Sequence, residues 1–180
     1  GAQVVADMAT GEGLITAEDL AAYVVAEREP MAVAYRDRTV LSNPPPAFGG
    51  ELIGRGLGFL AEELPTPGTW GEPAHLAALG RALQDLEASR KPGDGPQFSR
   101  GTTHASVADD EGNVASLSTS NGEASGYVVP GTGVMLNNML GEDDLHPDGF
   151  HASPPGLRVS SMMAPTAVIG ADGEVELVLG

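Results

Sequence analysis

Gly101-Thr102-Thr103-His104-Ala105-Ser106-Val107 opens the second half of this chain, with Asp110-Glu111-Gly112-Asn113 and Ser118-Thr119-Ser120-Asn121 close behind. The texture changes at Thr102. Residues 106–108 and 114–119 alternate as strands and flank a run of Asp, Glu, Gly and Asn suited to a hairpin turn. A threonine hydroxyl is a weak nucleophile until a base stands beside it. Cutting the preceding peptide bond would supply one, because the new α-amine has a reference pKa near 8. Gly101 suits such a cut, since a residue without Cβ tolerates the strained backbone of an N→O acyl shift. The alternative is that Thr102 is an ordinary strand threonine.

The composition narrows the partners. The chain has 180 residues, a formal charge of −16, 41% hydrophobic and only 4% aromatic residues, 25 Gly, 14 Pro and no Cys. That length suits one domain with a real core. The acidity argues against nucleic acid and anionic membranes and favours a small polar substrate or a cation. No apolar run reaches membrane-spanning length, and no charged-then-apolar leader opens the chain. Without cysteine there is no thiolate nucleophile, thiolate zinc site or disulfide, and extracytoplasmic and cytoplasmic locations both stay open. Eight of the nine cations precede Thr102; Arg158 alone follows it, among eleven carboxylates. Arg158 therefore reads either as a specific ligand or as the partner of a nearby carboxylate. Both ends read as cut, so the chain is expected to be a fragment.

The first half supplies helices and a hairpin. Thr16-Ala17-Glu18-Asp19 has the pattern of a capping box for a helix running to about Tyr23. Residues 31–35 and 38–41 alternate as two strands joined at Arg36-Asp37. Stiff Pro44-Pro45-Pro46 and then Gly49-Gly50 lead into a helix from 51 to about 63. A second helix opens at Pro73, where Leu76, Leu79, Leu83 and Leu86 predict a core-facing stripe. Residues 91–96, with two prolines and two glycines, predict a surface loop. In the second half, residues 134–136, 166–169 and 175–179 read as strands, the last two joined by a turn at Ala171-Asp172-Gly173.

Several residues could carry chemistry. Thr119 and Asn121 fall where the return strand would pass Thr102, although Ser116, Ser118 and Ser120 could instead form an exposed face with Thr119 inward. Asn137-Asn138 and Glu142-Asp143-Asp144 could bind an amino group, form a solvated loop or, with His146, Asp148 and His151, hold a metal; an EF-hand ladder is missing. Arg158-Val159-Ser160-Ser161, ahead of rigid Pro165, could bind a carboxylate or be a polar turn. His104 reads as a hydrogen-bonded structural histidine.

Taken in order, these motifs resemble the γ-glutamyltransferase (glutathione hydrolase) family of the N-terminal-nucleophile hydrolase superfamily. Gly13-Leu14-Ile15-Thr16-Ala17-Glu18-Asp19-Leu20, Arg28-Glu29-Pro30 and Pro44-Pro45-Pro46-Ala47-Phe48-Gly49-Gly50 are similar to the end of that family's large subunit. Thr102-Thr103-His104, Gly112-Asn113, Leu136-Asn137-Asn138-Met139 and Ser160-Ser161-Met162-Met163-Ala164-Pro165-Thr166 are similar to the start of its small subunit. The resemblance implies an α+β fold, a four-layer αββα sandwich, here incomplete and truncated at both ends. Residues 1–101 would close the large subunit and residues 102–180 open the small one, as one structural domain cut between Gly101 and Thr102.

The resemblance also implies roles. Thr102 would be the nucleophile, Thr119 the second threonine that hydrogen-bonds it, and Asn121 a contact to the γ-glutamyl group. Glu142 or Asp143 would bind the substrate's α-amine, and Ser160 and Ser161 its α-carboxylate. Some positions depart from the pattern. Thr119 and Asn121 match only with a one-residue shift from Gly112-Asn113, Ser160 also needs a shift, and Met139 stands where well-known members have glutamine. The family's oxyanion glycines are expected just beyond Gly180, and its carboxylate-binding arginine upstream of Gly1. The implied reaction is hydrolysis or transfer of γ-glutamyl amides, with water, an amino acid or a peptide as acceptor and no cofactor or metal. A cephalosporin-acylase-like amidohydrolase and a non-catalytic acidic binding domain are the alternatives.

Overall fold

A computed structural model describes residues 1–64, 70–89, 102–142, 145–146, 148–149 and 152–180. Its main sheet has four antiparallel strands in the order β1-β2-β5-β6, comprising β1 (Met31–Tyr35), β2 (Arg38–Ser42), β5 (Thr166–Ile169) and β6 (Val175–Leu179). Tyr35 pairs with Arg38 across the tight turn, where Arg36 takes a left-handed φ of 57°. β2 then pairs with β5, Thr39 opposite Ile169, so the two halves of the chain are knit into one sheet. Val40 is buried there, and the hydroxyls of buried Ser42 and Thr166 satisfy each other at 3.0 Å.

Helix α3 (Gly49–Glu63) lies on β1, with a Cβ placed on Gly54 only 2.8 Å from Val33 Cγ2. Its first residues approach backbone still more closely. A Cβ on Gly49 would overlap the Met162 carbonyl, and one on Gly50 would stand 2.5 Å from the Asn43 carbonyl. The Gly-Gly pair is thus what lets the helix start against the 161–164 segment.

Helix α4 (Pro73–Ser89) departs from the predicted leucine stripe. Ala78 and Ala82 are buried, while Leu76 and Leu83 are 54% and 59% exposed. The inward row is Ala78, Ala82 and Leu86, spaced at four residues, and it meets Gly56 of α3. Ala78 and Ala82 let the two helices approach, and Leu86, a leucine of the predicted stripe, packs over Gly56, 3.2 Å from a Cβ placed there. Arg55–Asp85 and Arg81–Glu63 pairs flank that contact.

The short helix α2 (Ala17–Ala22) has its capping box, with the Thr16 hydroxyl accepting from the Asp19 amide at 3.1 Å and the Asp19 carboxylate accepting from the Thr16 amide at 2.9 Å. Helix α1 (Ala2–Thr10) is an addition that the sequence did not announce, since Gly1 at its N-cap supplies no side-chain cap. Residues 134–136 do not form the expected buried strand. A tight turn through Gly131 and Gly133 folds them back on 128–129, with one isolated bridge, Val128 to Met135.

The last element is a two-stranded ribbon, β3 (Thr102–Ala108) and β4 (Val114–Ser120), paired without interruption from Thr102↔Ser120 to Ala108↔Val114. β3 begins at Thr102 and not at 106, because Thr102, Thr103 and His104 all find strand partners. Asp109 ties the turn, its carboxylate accepting from the amides of Glu111 (3.0 Å) and Asn113 (2.8 Å) and from Asn113 Nδ2 (2.9 Å). β6 lies over the ribbon, where the Ser116 hydroxyl donates to the Leu179 carbonyl at 3.3 Å.

Candidate active site

Register decides which side chains meet. Cross-strand partners in an antiparallel pair share a face, and neighbours along a strand alternate. One face of the ribbon therefore carries Thr102, His104 and Ser106 opposite Ser120, Ser118 and Ser116. That face turns inward: along β4 the serines are half-buried, while Ala115, Leu117 and Thr119 are exposed. The inner face, Ile53 of α3, Met139, Glu142, Leu145, the 160–164 segment and the end of β6 line a cavity of about 450 Å³. Thr102, Ser120, Glu142, Ser160 and Ser161 all line it.

Thr119 is not among them. It pairs with Thr103 on the outer face, so the expectation that its hydroxyl stands beside Thr102 is corrected. Matching Thr119 needed a one-residue shift, and the unbroken ladder from Ala108↔Val114 to Thr102↔Ser120 contains no bulge to absorb one. Ser120 is the hydroxyl directly across from Thr102. Asn121 is exposed and does not line the cavity; its backbone carbonyl accepts from the amides of Ala124 and Asn138 at 3.0 and 3.2 Å.

Gly122 does what a longer residue there could not. It has φ +63°, its amide donates to the Ser120 hydroxyl at 3.0 Å, and a Cβ on it would overlap Glu142 Oε1 and stand 2.5 Å from Asn138 Oδ1. Glycine thus lets the Glu142 carboxylate and the Asn138 amide close on the strand end. Glu142 is held by the Glu123 amide at 2.9 Å, and Asn138 Oδ1 is buried with no partner of its own. Ser120, Gly122 and the aim of Asn138 escaped the sequence reading. The signal for the first two was the ungapped count from Gly112-Asn113.

The opposite wall is fixed by backbone. Phe48 donates its amide to the Ser161 carbonyl at 3.0 Å, and Ala47 bridges Ser161. Ser160, Ser161, Met162 and Met163 thereby face Thr102 across the cavity, and Met139 lines it too. Gly101, Asp143, Asp144 and His151 lie outside the described residues. Arg158 points elsewhere: Nη2 donates to the Val24 carbonyl at 3.0 Å, and the guanidinium sits 5.8 Å over the Tyr23 ring. Among the described lining residues Glu142 is the one carboxylate, and none is Lys or Arg. Among the described residues no three His, Asp or Glu side chains gather as a metal-binding group, and no helix is long and apolar enough to cross a membrane.

A ribbon strand headed by a threonine that lines a cavity, beside a second antiparallel sheet and helices, makes an α+β fold. The cephalosporin acylase of Bacillus halodurans shares it, with a TM-score of 0.66 at 22% identity over 96% of this chain and 38% of that one. The chain belongs to the Gamma-glutamyltranspeptidase family, whose sequence model matches residues 1–91 and 72–180. Among relatives, the Acylase ACY 1 proenzyme of Pseudomonas sp. (strain SE83) is 32% identical over 96% of this chain and 38% of its own length. The Glutathione hydrolase proenzyme of Escherichia coli (strain K12) is 29% identical over 99% of this chain and 40% of its own. The chain thus spans about two fifths of the length of these relatives.

Proposed function

We propose that the full-length natural polypeptide carrying this sequence is a self-processing γ-glutamyl acyltransferase and hydrolase with Thr102 as nucleophile. The observation that carries the reading is the single cavity lined by Thr102, Ser120, Glu142, Ser160 and Ser161. Processing begins when the Thr102 hydroxyl attacks the Gly101 carbonyl. The peptide bond becomes an ester, and water then releases a Gly101 carboxylate and a free Thr102 amine. Residues 1–101 and 102–180 thereby fall into two subunits of one precursor.

In the mature site the Thr102 α-amine takes the hydroxyl proton as the oxygen attacks the amide carbonyl of the donor. The proton passes to the leaving amine, the C–N bond breaks, and an acyl ester remains on Thr102. Water, or the amino group of an amino acid or peptide, resolves it. Ser120 orients the Thr102 hydroxyl in the role expected of Thr119. Glu142, with Asp143 beside it in sequence, receives the donor's α-ammonium group, and Ser160 and Ser161 donate to its α-carboxylate. The donor's α-carbon carries both a positive and a negative group, which is why the site sets a carboxylate against hydroxyls.

The names of the relatives support glutathione as donor, and acylase chemistry is the second reading. Met139, Leu145, Met162 and Met163 make much of the wall apolar, which suits an acyl group with fewer polar contacts. Rates on a γ-glutamyl anilide and on a glutaryl amide separate the two readings. The common mechanism has a sharper test. The full-length protein is expected as two chains, the second beginning at Thr102, and Thr102→Ala is expected to stay uncut and inactive. A Thr102→Ala protein that is cut and turns over the anilide rules the mechanism out.

A further inference from the structure

His104 lies two residues from Thr102 on the same ribbon face, and its ring is held on every polar edge. Nδ1 is 2.8 Å from the Ser118 hydroxyl; Nε2 is 2.9 Å from the Ser106 hydroxyl and 3.3 Å from that of Ser116. Hydroxyls both donate and accept, so this clamp holds the ring whichever nitrogen carries the proton. The face of the clamp meets β6. Ser116 donates to the Leu179 carbonyl at 3.3 Å, and a Cβ on Gly180 would overlap His104 Cε1 and Nδ1 and stand 3.0 Å from Nε2. Gly180 is therefore glycine because the ring leaves no room for a side chain. His104, Ser118, Leu179 and Gly180 line the same cavity as Thr102 and Ser120.

We infer that His104 is a positioning residue: its serine-clamped ring is the platform on which the end of β6 rests, and it sets the spacing between that strand end and Thr102. A ring fixed at one rotamer by three hydroxyls is a rigid spacer, and a close-packed contact transmits its height without slack. The consequence for catalysis rests on the reading of Thr102 as nucleophile. If the strand end moves relative to the nucleophile, groups at that end leave register with the acyl carbonyl, and displacement of about 1 Å can cost on the order of 100-fold in rate. The contact itself does not depend on that reading.

The test is a double-mutant cycle in the full-length protein, read in two ways. By denaturant unfolding, Gly180→Ala is expected to destabilise when His104 is present and to lose most of that cost in Gly180→Ala/His104→Ala. In turnover of a γ-glutamyl anilide, Gly180→Ala is expected to lower kcat roughly 10- to 100-fold with KM within about 3-fold. The double variant recovers part of that kcat. Ser116→Ala, a milder change that cuts the Leu179 tie and the longer of the two contacts to His104 Nε2, is expected to lower kcat several-fold and serves if Gly180→Ala does not fold. The acid limb of the kcat/KM profile stays in place in His104→Gln, since His104 exchanges no proton with substrate. Additive effects in the stability cycle, or an acid limb that moves in His104→Gln, overturn the inference. A coupled stability cycle in a protein that never turns over the anilide leaves the platform standing and removes the catalytic reading instead.

Discussion

The main sheet and the ribbon use the same strand alternation in opposite senses. In the sheet the inward positions of β2 are apolar or hydroxyl-paired, with Val40 buried and Ser42 satisfied by Thr166. In the ribbon the inward positions are Thr102, His104 and four serines, while Val107 and Leu117 point outward at 63% and 62% exposure. Full burial of a Val or Leu is worth about 1.5–3 kcal/mol, and the ribbon's outer face forgoes it. What the ribbon gains is a half-enclosed row of hydroxyls, held in register by backbone pairing. Apolar alternation in this chain marks structure, and polar alternation marks the site.

The largest break in that comparison should come from two adjacent residues of one strand. Ser120→Ala is expected to cut kcat/KM for a γ-glutamyl anilide about 10- to 100-fold, the scale of losing one hydrogen bond of about 1.4–2.7 kcal/mol to a reacting hydroxyl. Thr119→Val, on the outer face, is expected to change it less than about 2-fold. Steady-state kinetics on processed full-length protein measures both. The reverse order would mean that the ribbon slips by one residue in the mature enzyme.

That pair also shows how far the sequence could be read. The strands of the main sheet were legible because Val, Ile and Leu alternate between clear turns, and α2 because Thr16 and Asp19 form a recognisable cap. Thr102, Ser160 and Ser161 stood out by motif, and the structure brings them to one cavity. Thr119 was misplaced because residue type was allowed to outweigh register, and in a strand one position reverses the face. α4 was misread for a related reason. Its leucines are the conspicuous residues, but Leu76 and Leu83 are exposed, and Leu86 shares the row that meets α3 with buried Ala78 and Ala82. The orphaned Asn138 oxygen and the platform under Gly180 depend on contacts across 16 and 76 residues of sequence, from Gly122 to Asn138 and from His104 to Gly180. No local pattern encodes them.

A smaller effect sharpens the comparison through stability. Val40→Ala removes buried methyl groups at a site only 6% exposed, and the expected loss is about 2 kcal/mol from transfer and cavity together. Leu117→Ala removes more atoms from a residue 62% exposed and is expected to fall within about 0.5 kcal/mol of the parent. Urea unfolding with unchanged m-values reads both. A loss at Leu117 as large as that at Val40 would mean that the outer face of the ribbon is covered in the full-length protein.

The smallest effect separates the two regions by pH. Hydrogen bonds from Asn113, first its side chain and then its amide, lower the Asp109 pKa below the ordinary carboxylate value. A carboxylate with a lowered folded-state pKa contributes stability that is fully present above its unfolded value, about 3.9. That contribution is lost as pH falls through the folded value. The main sheet is tied less tightly by carboxylates: among the described residues the β1–β2 reversal, made by Arg36 and Asp37, has none accepting turn amides, and in the β5–β6 turn Asp172 accepts from the Glu174 amide alone, at 3.1 Å. Acidification from pH 6 to below about 4 is therefore expected to open the ribbon turn first. Amide exchange at Glu111 and Asn113, corrected for intrinsic rates, should rise there while Val40 stays protected. Asp109→Ala should show fast exchange at both amides already at pH 6, with little further change on acidification. Equal acid sensitivity in the parent and in Asp109→Ala would assign the turn's stability to its backbone alone.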